Sequence, residues 1–308
     1  MTSQLFIAGD WGTTQLRLFL CDRDTVIAAR VGRGIGALDE LPETEFGKVA
    51  QAWLAEHRIA RAVLAGMVGS RNGWLETDYV ACPAAITDLP ACFRRIRHDD
   101  MDIDIVPGLS CTSPSGAADV MRGEETQVFG ALVLERKLAH GRHVLALPGT
   151  HTKWVLLDSG RVIHFQTALT GELFALLRTH STLLKAAPAS VTKFDDASFE
   201  RGLIETNEIP LPLRLFQVRS RQLIDGLSPE QASGLLSGLL LGADVDGAVK
   251  LFSPEIVTLV CEPMLAARYA RALRSRGIES QHLDGNDCVL AGLRALAGYP
   301  RWPDTNDA

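Results

Sequence analysis

Long apolar runs are missing from this chain of 308 residues; none reaches the roughly 18 that a membrane-spanning helix needs. The opening Met-Thr-Ser-Gln-Leu-Phe has no basic stretch ahead of an apolar one, so no secretory leader is expected there. Basic blocks are also absent. Thirty-one Lys and Arg against 37 Asp and Glu leave a formal charge of −6, which argues against nucleic acid or an anionic membrane surface as partner. The six cysteines (Cys21, Cys82, Cys92, Cys111, Cys261 and Cys288) are scattered, with no Cys-x-x-Cys pair. That pattern excludes a zinc ribbon and a disulfide frame, and suits buried thiols in a reducing cytoplasm. No Gly-x-x-x-x-Gly-Lys-Ser/Thr occurs, so a P-loop is not expected. Gly69-Ser70-Arg71-Asn72-Gly73 has the wrong spacing for an esterase nucleophile elbow. What remains is an aliphatic, mildly acidic α/β chain, long enough for two domains that each bury a core.

Two stretches share one grammar. Leu5 to Asp10 is an apolar strand ending in Asp10-Trp11-Gly12-Thr13-Thr14, and Gln15 to Leu20 runs back as a second strand. His143 to Leu147 leads into Pro148-Gly149-Thr150-His151-Thr152-Lys153, and Trp154 to Leu157 runs back. In both, a third strand follows a short polar turn. Gly12 removes a Cβ where a ligand could approach, and the Thr13 and Thr14 hydroxyls with turn N–H groups suit an anion. Asp10, at a strand end, is costly to bury without a partner, and a magnesium ion is one such partner. A plain hairpin whose Asp caps the turn is the bland alternative for a single copy. Two copies suggest a duplicated domain with a cleft between, each hairpin holding part of one polyphosphate.

Other segments carry chemistry less directly. Gly32-Arg33-Gly34-Ile35-Gly36-Ala37 mimics a dinucleotide fingerprint, but Pro42 interrupts the helix that should follow, so a glycine-rich surface loop is expected. An amphipathic helix is expected over residues 44–57. In Gly66–Trp74, Arg71 offers a planar fork for a carboxylate, Ser70 and Asn72 offer hydrogen bonds, and Trp74 is either an apolar wall or core packing. Met101 to Ile105 alternates like an edge strand, and the breaker-rich Ser110–Gly116 reads as a hinge, dividing the chain into 1–116 and 117–308. Glu124 and Glu125 precede an apolar helical run. They either complement the helix dipole, or one of them accepts a proton while the other caps. Thr170 is an N-cap by type. Gly234, Gly238 and Gly242 recur every four residues, which fits close helix packing or a flat ligand such as adenine.

The ordered set Asp10-Trp-Gly-Thr-Thr, Gly66-Met-Val-Gly-Ser-Arg71, Val120-Met-Arg-Gly-Glu-Glu-Thr-Gln127, Leu147-Pro-Gly-Thr-His-Thr-Lys-Trp154 and Thr170-Gly-Glu-Leu-Phe-Ala-Leu-Leu177 resembles the 2-dehydro-3-deoxygalactonokinase family. That family lies within the actin/hexokinase/heat-shock-protein ATPase superfamily. The resemblance implies an α/β fold of two ribonuclease-H-like (actin-like ATPase) domains with an interdomain cleft. It implies transfer of the ATP γ-phosphoryl to O6 of 2-dehydro-3-deoxy-D-galactonate. By the same resemblance Asp10 holds Mg²⁺ through water, while Gly12, Thr13, Thr14, Gly149, Thr150 and His151 cradle phosphates. Gly238 falls on the nucleotide side, and Glu124 or Glu125 serves as base. Ser70, Arg71, Asn72, Trp74 and Lys153 fall around the sugar acid. Cys261-Glu262-Pro263 departs from the glycine usual after the late strand, which leaves the adenosine contacts open. ATP and the sugar acid are then the partners, with homodimerisation left open. Alternatives on the same fold are a kinase for another sugar acid or sugar, a nucleotide-dependent sensor without catalysis, and a phosphohydrolase.

Overall fold

The computed structural model describes residues 5–184, 195–205 and 209–298. By internal packing the chain divides into one compact unit of Met1–Arg142, Val155–Phe165 and Leu283–Ala308, and a second of His143–Trp154 and Gln166–His282.

The first apolar runs fold as an antiparallel meander, β1 (Phe6–Trp11), β2 (Gln15–Cys21) and β3 (Val26–Arg33). Helix α1 (Pro42–Glu56) follows, with Pro42 in its first turn, where the missing N–H has no intrahelical partner to lose. Then come β4 (Arg61–Gly66), β5 (Tyr79–Ala81), β6 (Arg94–His98), β7 (Met101–Ile105), β8 (Gly108–Thr112), β9 (Ala118–Met121) and α2 (Glu124–Leu134). β1 pairs antiparallel with β2 and parallel with β4, in a sheet of order β3-β2-β1-β4-β7-β6. Ile7, Trp11, Leu16 and Leu18 are wholly buried in its core with Phe46 from α1. Each such aliphatic side chain contributes about 1.5–3 kcal/mol by leaving water.

Two expectations fail here for identifiable reasons. β7 is interior, not an edge: β6 lies outside it, antiparallel. The alternation of β7 comes from Asp104, which is buried between Arg61 of β4 (3.1 Å) and Arg95 of β6 (2.7 Å). Nor is Ser110–Gly116 a hinge. It ends β8 and turns into β9, with Ser113 N–H donating to Ala117 O and Gly116 N–H to Ser113 O, both at 2.8 Å. The boundary anticipated at 116/117 thus falls inside a hydrogen-bonded turn.

Downstream come β10 (Arg142–Leu147), β11 (Thr152–Asp158), β12 (Arg161–Ala168), α3 (Thr170–His180), α4 (Asp196–Glu205), α5 (Leu211–Ile224), α6 (Pro229–Phe252), β13 (Ile256–Cys261), α7 (Pro263–Arg274), β14 (Glu279–Asp284) and α8 (Gly285–Leu296). The sheet order is β12-β11-β10-β13-β14, with β10 parallel to β13. This repeats the 3-2-1-4 order of the first sheet, where β7 and then β6 follow β4. The helices and loops expected over Ala186–Pro229 appear as α4 and α5, while residues 186–194 and 206–208 lie outside the described residues.

Glycine sets how closely the helices approach. A Cβ on Gly130 of α2 would stand 1.7 Å from the Cys288 carbonyl oxygen of α8, and one on Gly292 would stand 2.0 Å from that of Thr126. Backbone cannot yield there as a flexible side chain would. Gly130→Ala is therefore expected to lower unfolding free energy by about 3 kcal/mol, the upper range of overpacking costs, read as a lower urea midpoint. A midpoint equal to that of the unaltered protein would show that the helices separate freely.

Candidate active site

Trp11 and Gly12 end β1 and start a turn whose carbonyls are all engaged. The N–H groups of Gly34, Ile35 and Gly36 donate to Thr14 O (3.1 Å), Gly12 O (3.0 Å) and Thr13 O (2.9 Å). The glycine-rich segment is thus a brace beneath the turn and not a free surface loop. A Cβ on Gly34 would come within 2.3 Å of the Thr14 carbonyl carbon and the Gln15 nitrogen, so only glycine fits. Thr13 and Thr14 are exposed, and their N–H groups have no acceptor among the described residues. Donors outward and carbonyls tied back make an anion-binding concavity.

Asp10, one residue before the end of β1, forms an ion pair through Oδ2 with Arg17 of β2, which also donates to Asn286 of α8. The partner expected to be a cation from solvent is in part this arginine. Asp10 Oδ1 keeps no hydrogen bond among the described residues, and no group of three or more metal-ligating side chains occurs among them. One open carboxylate oxygen beside a phosphate-type turn fits Mg²⁺, which takes one or two carboxylates and completes its shell with phosphate and water.

Gly66 ends β4 at φ +94° and Gly123 precedes α2 at φ +108°, a region that L side chains rarely adopt. They nearly touch: a Cβ on Gly123 would lie 3.3 Å from the Gly66 Cα, and one on Gly66 would lie 3.4 Å from Asp10 Oδ1. This double glycine contact brings the start of α2 to the Asp10 strand end. Glu124 Oε2 accepts from Arg122 N–H at 3.0 Å and its residue is part-exposed. Glu125 is wholly buried; its Oε2 accepts from Gly123 N–H at 2.7 Å and its Oε1 has no partner. Burial first, and the Glu124 charge second, push the Glu125 carboxyl up to about 8.

The Gly66–Trp74 segment divides. Arg71 is 87 % exposed, with Glu76 at 3.6 Å as its ion-pair partner, and Asn72 is exposed beside it. Ser70 Oγ donates to Met67 O at 2.8 Å. Trp74 is part-buried and takes up the core-packing alternative. Its ring lies 5.5 Å from that of Phe46 and 5.7 Å from that of His98, in the sheet's core cluster. Arg122, which the sequence did not single out, stacks 4.4 Å over the Tyr79 ring and donates to Thr77 O at 2.8 Å, locking this segment to the strand before α2.

In the second unit the Gly149-Thr150 turn is braced in the same manner. Glu172 N–H donates to Thr150 O at 2.9 Å, and a Cβ on Gly171 would fall 2.2 Å from Gly149 O, so the start of α3 sits on the turn. Gly149, Thr150 and His151 are exposed, and His151 is hydrogen-bonded to Glu172. Thr170 is not the N-cap. Leu169 holds that position, and the Thr170 hydroxyl donates to Asp244 of α6. Lys153 is 5 % exposed, its ammonium donating to Thr167 at 2.8 Å; so enclosed a cation is not open to a sugar acid from solvent. Gly238 faces protein instead of adenine: a Cβ there would lie 2.1 Å from Phe199 O of α4, the close-packing alternative.

With this geometry established, sequence comparison is decisive. The family model for 2-keto-3-deoxy-galactonokinase matches residues 10–296. The chain belongs to that family. It is 35% identical over 309 residues to the Rhizobium meliloti (strain 1021) protein named probable 2-dehydro-3-deoxygalactonokinase DgoK1, covering 98% of this chain and 99% of that one. Identity to the 2-dehydro-3-deoxygalactonokinase of Escherichia coli (strain K12) is also 35%, over 95% and 97% of the two chains. A crystal structure of a Sinorhizobium meliloti protein assigned to 2-dehydro-3-deoxygalactonokinase superposes with a TM-score of 0.85 at 35% identity, covering 97% and 99%. The ADPNP-bound activator of 2-hydroxyisocaproyl-CoA dehydratase from Clostridium difficile, at 14% identity, TM-score 0.52 and coverage of 96% and 95%, shares the fold alone. The two sheets with their shared 3-2-1-4 order are those of the actin-like ATPase fold. Among the described residues, no helix is long and apolar enough to cross a membrane.

Glu125 sets a pH dependence of stability. Its folded pKa is raised above the ordinary carboxyl value, so the folded state holds a proton that the unfolded chain releases. Stability from this group is fully present below the unfolded pKa and is lost as pH rises towards about 8. Glu125→Gln, which cannot ionise, should gain on the unaltered protein by a few kcal/mol between about pH 5 and 8. Denaturant unfolding across that range measures it; parallel pH profiles would show that Glu125 is not held neutral.

Proposed function

We propose that this kinase-family chain transfers the γ-phosphoryl of ATP to O6 of 2-dehydro-3-deoxy-D-galactonate, giving the 6-phosphate in galactonate catabolism. The carrying observation is the Gly66–Gly123 contact, which sets Asp10, the Gly12-Thr13-Thr14 turn and the first residues of α2 side by side in one unit. Phosphoryl transfer asks for alignment and charge compensation more than covalent chemistry. The outward N–H groups and hydroxyls of Thr13 and Thr14 hold phosphate oxygens, as do the N–H groups of Gly149 and Thr150 and the Thr150 hydroxyl. Asp10 Oδ1 holds Mg²⁺ through water, while Arg17 fixes the carboxylate's other oxygen. Bound there, the metal supplies charge compensation for the phosphates.

Of the two adjacent carboxylates, Glu124 is the base. It is part-exposed and reachable by an acceptor hydroxyl, whereas Glu125 is sealed, protonated at neutral pH and engaged on Gly123. Arg71, almost fully solvated and paired loosely, is placed to take the substrate carboxylate through its planar fork, with Asn72 beside it. The chain works in the cytoplasm, where its nucleotide and sugar acid are found, and its assembly as a homodimer is open to sizing.

Incubation of the purified protein with Mg-ATP and a panel of 2-keto-3-deoxy acids, including both C4 epimers, tests this. Acceptor-dependent ADP release with the galacto acid is expected; ADP release indifferent to any acid would favour a phosphohydrolase, and none at all a sensor. Within the panel, Glu124→Gln should cut kcat by at least about a hundredfold, the usual contribution of general base catalysis, with ATP binding kept. Arg71→Ala should raise KM for the acid about tenfold or more, as expected for a lost charge-assisted pair, and leave KM for ATP near its starting value. Equal shifts in both would remove Arg71 from the acid site.

A further inference from the structure

Behind the Gly149-Thr150 turn lies a polar knot that phosphate and acid binding leave unused. Asp244, on α6, turns its carboxylate inward and accepts three hydrogen bonds: from Trp154 Nε1 on Oδ1 at 2.8 Å, and from Thr170 Oγ1 and the Tyr269 hydroxyl on Oδ2, each at 2.7 Å. Thr152 Oγ1 lies 2.9 Å from the Tyr269 oxygen. Trp154, Tyr269 and Thr152 are at most 2 % exposed. The knot joins four elements, β11, α3, α6 and α7.

Two of those elements are the walls of the turn. Thr152 and Trp154 open β11 directly after it. Thr170 opens α3, whose next two residues press Gly171 on Gly149 O and bond Glu172 N–H to Thr150 O. One carboxylate therefore sets the separation between the strand leaving the turn and the helix bracing it. A desolvated carboxylate is expensive where apolar packing would serve stability alone. Three donors converging on its two oxygens, however, fix geometry in a way that Leu or Met cannot. The Tyr269 hydroxyl keeps its proton for this bond, since burial and then the Asp244 charge hold it well above the ordinary tyrosine value.

We propose that Asp244 is a positioning residue for the nucleotide: through Thr170 and Trp154 it holds the Gly149-Thr150 turn at the spacing that receives ATP phosphate, and so governs ATP affinity and not sugar-acid affinity. This rests on the phosphate role proposed for that turn. Asn at this position can accept on one oxygen alone, and its NH₂ reverses the bond at Thr170 or Tyr269.

The test is calorimetric binding of Mg-AMPPNP, which needs no turnover, together with KM for each substrate. Asp244→Asn, folded by circular dichroism, should weaken Mg-AMPPNP about tenfold and raise KM for ATP in step, with KM for the acid within twofold. Thr170→Val, which cuts the α3 link and spares Trp154, should shift the same two quantities in the same direction. Unaltered affinity in a folded Asp244→Asn protein, or equal changes in both KM values, overturns the proposal. Should Asp244→Asn not fold, Thr170→Val decides alone: unaltered Mg-AMPPNP affinity there overturns it. Unmutated protein that binds Mg-AMPPNP yet phosphorylates no acid sinks the proposed activity and leaves the Asp244 comparison standing.

Discussion

Both phosphate-type turns depend on one constraint, that their carbonyl oxygens be satisfied from behind. A peptide turn has as many acceptors as donors, and an anion meets it well only if the donors alone face outward. At Gly12-Thr13-Thr14 three consecutive N–H groups from Gly34 to Gly36 take up all three carbonyls. At Gly149-Thr150 the start of α3 covers the turn from behind: Glu172 N–H bonds Thr150 O, and Gly171 lets the helix close on Gly149 O. The two braces are unrelated in form: a short segment after β3 in one, a helix N-terminus in the other. The electrostatic result is shared, and the helix version adds the positive end of a macrodipole near the turn.

Glycine enters this architecture wherever backbone must meet backbone. Gly34 rests on the Thr14 carbonyl group, Gly171 on Gly149, and Gly66 on Gly123. Each contact joins a segment carrying functional groups to one that fixes it, so a methyl group would displace chemistry and not only packing. Gly130 and Gly292 extend the pattern by seating α8 on α2, and α8 in turn carries Asn286 to Arg17 and hence to Asp10. Core packing and site geometry are continuous along this line.

Much of this was legible in the sequence because turns and strands obey local rules. The paired Gly-Thr bends, the strands flanking them, the helix expected over 44–57 and the one at Glu124 follow from apolar runs and breakers, while Pro42, read as an interruption, opens the first of those helices. Arg94 to His98 did not read as a strand, because its arginines find their carboxylates on the neighbouring β7, a partner that a local pattern cannot show. Asp102 and Asp104 misled in the complementary way, making an interior strand look like an edge. Trp74 and Lys153 have side chains suited to ligands, yet Trp74 packs against the sheet's core and Lys153 is buried. The glycine ladder of α6 had two physical explanations, and only the position of α4 separates them. Asp244 lies some 90 residues from Trp154 and 74 from Thr170, and no spacing rule links them.

The neighbouring carboxylates at the start of α2 show how a helix sorts chemically equal residues. Successive positions lie about 100° apart around the axis, 3.6 residues making a turn, so Glu124 and Glu125 cannot share an environment. Glu125 turns into the protein, where desolvation favours its neutral form. Its hydrogen bond to Gly123 N–H then holds the positive-φ residue that lets α2 approach Gly66. Because Glu125 carries no charge at neutral pH, it does not compete with Glu124 for a proton or repel an approaching phosphate. A second ionised carboxylate at this spot would oppose the triphosphate proposed for the adjacent turn. Burying one of the pair removes that repulsion and leaves Glu124, the proposed base, as the part-exposed carboxylate at the start of the helix.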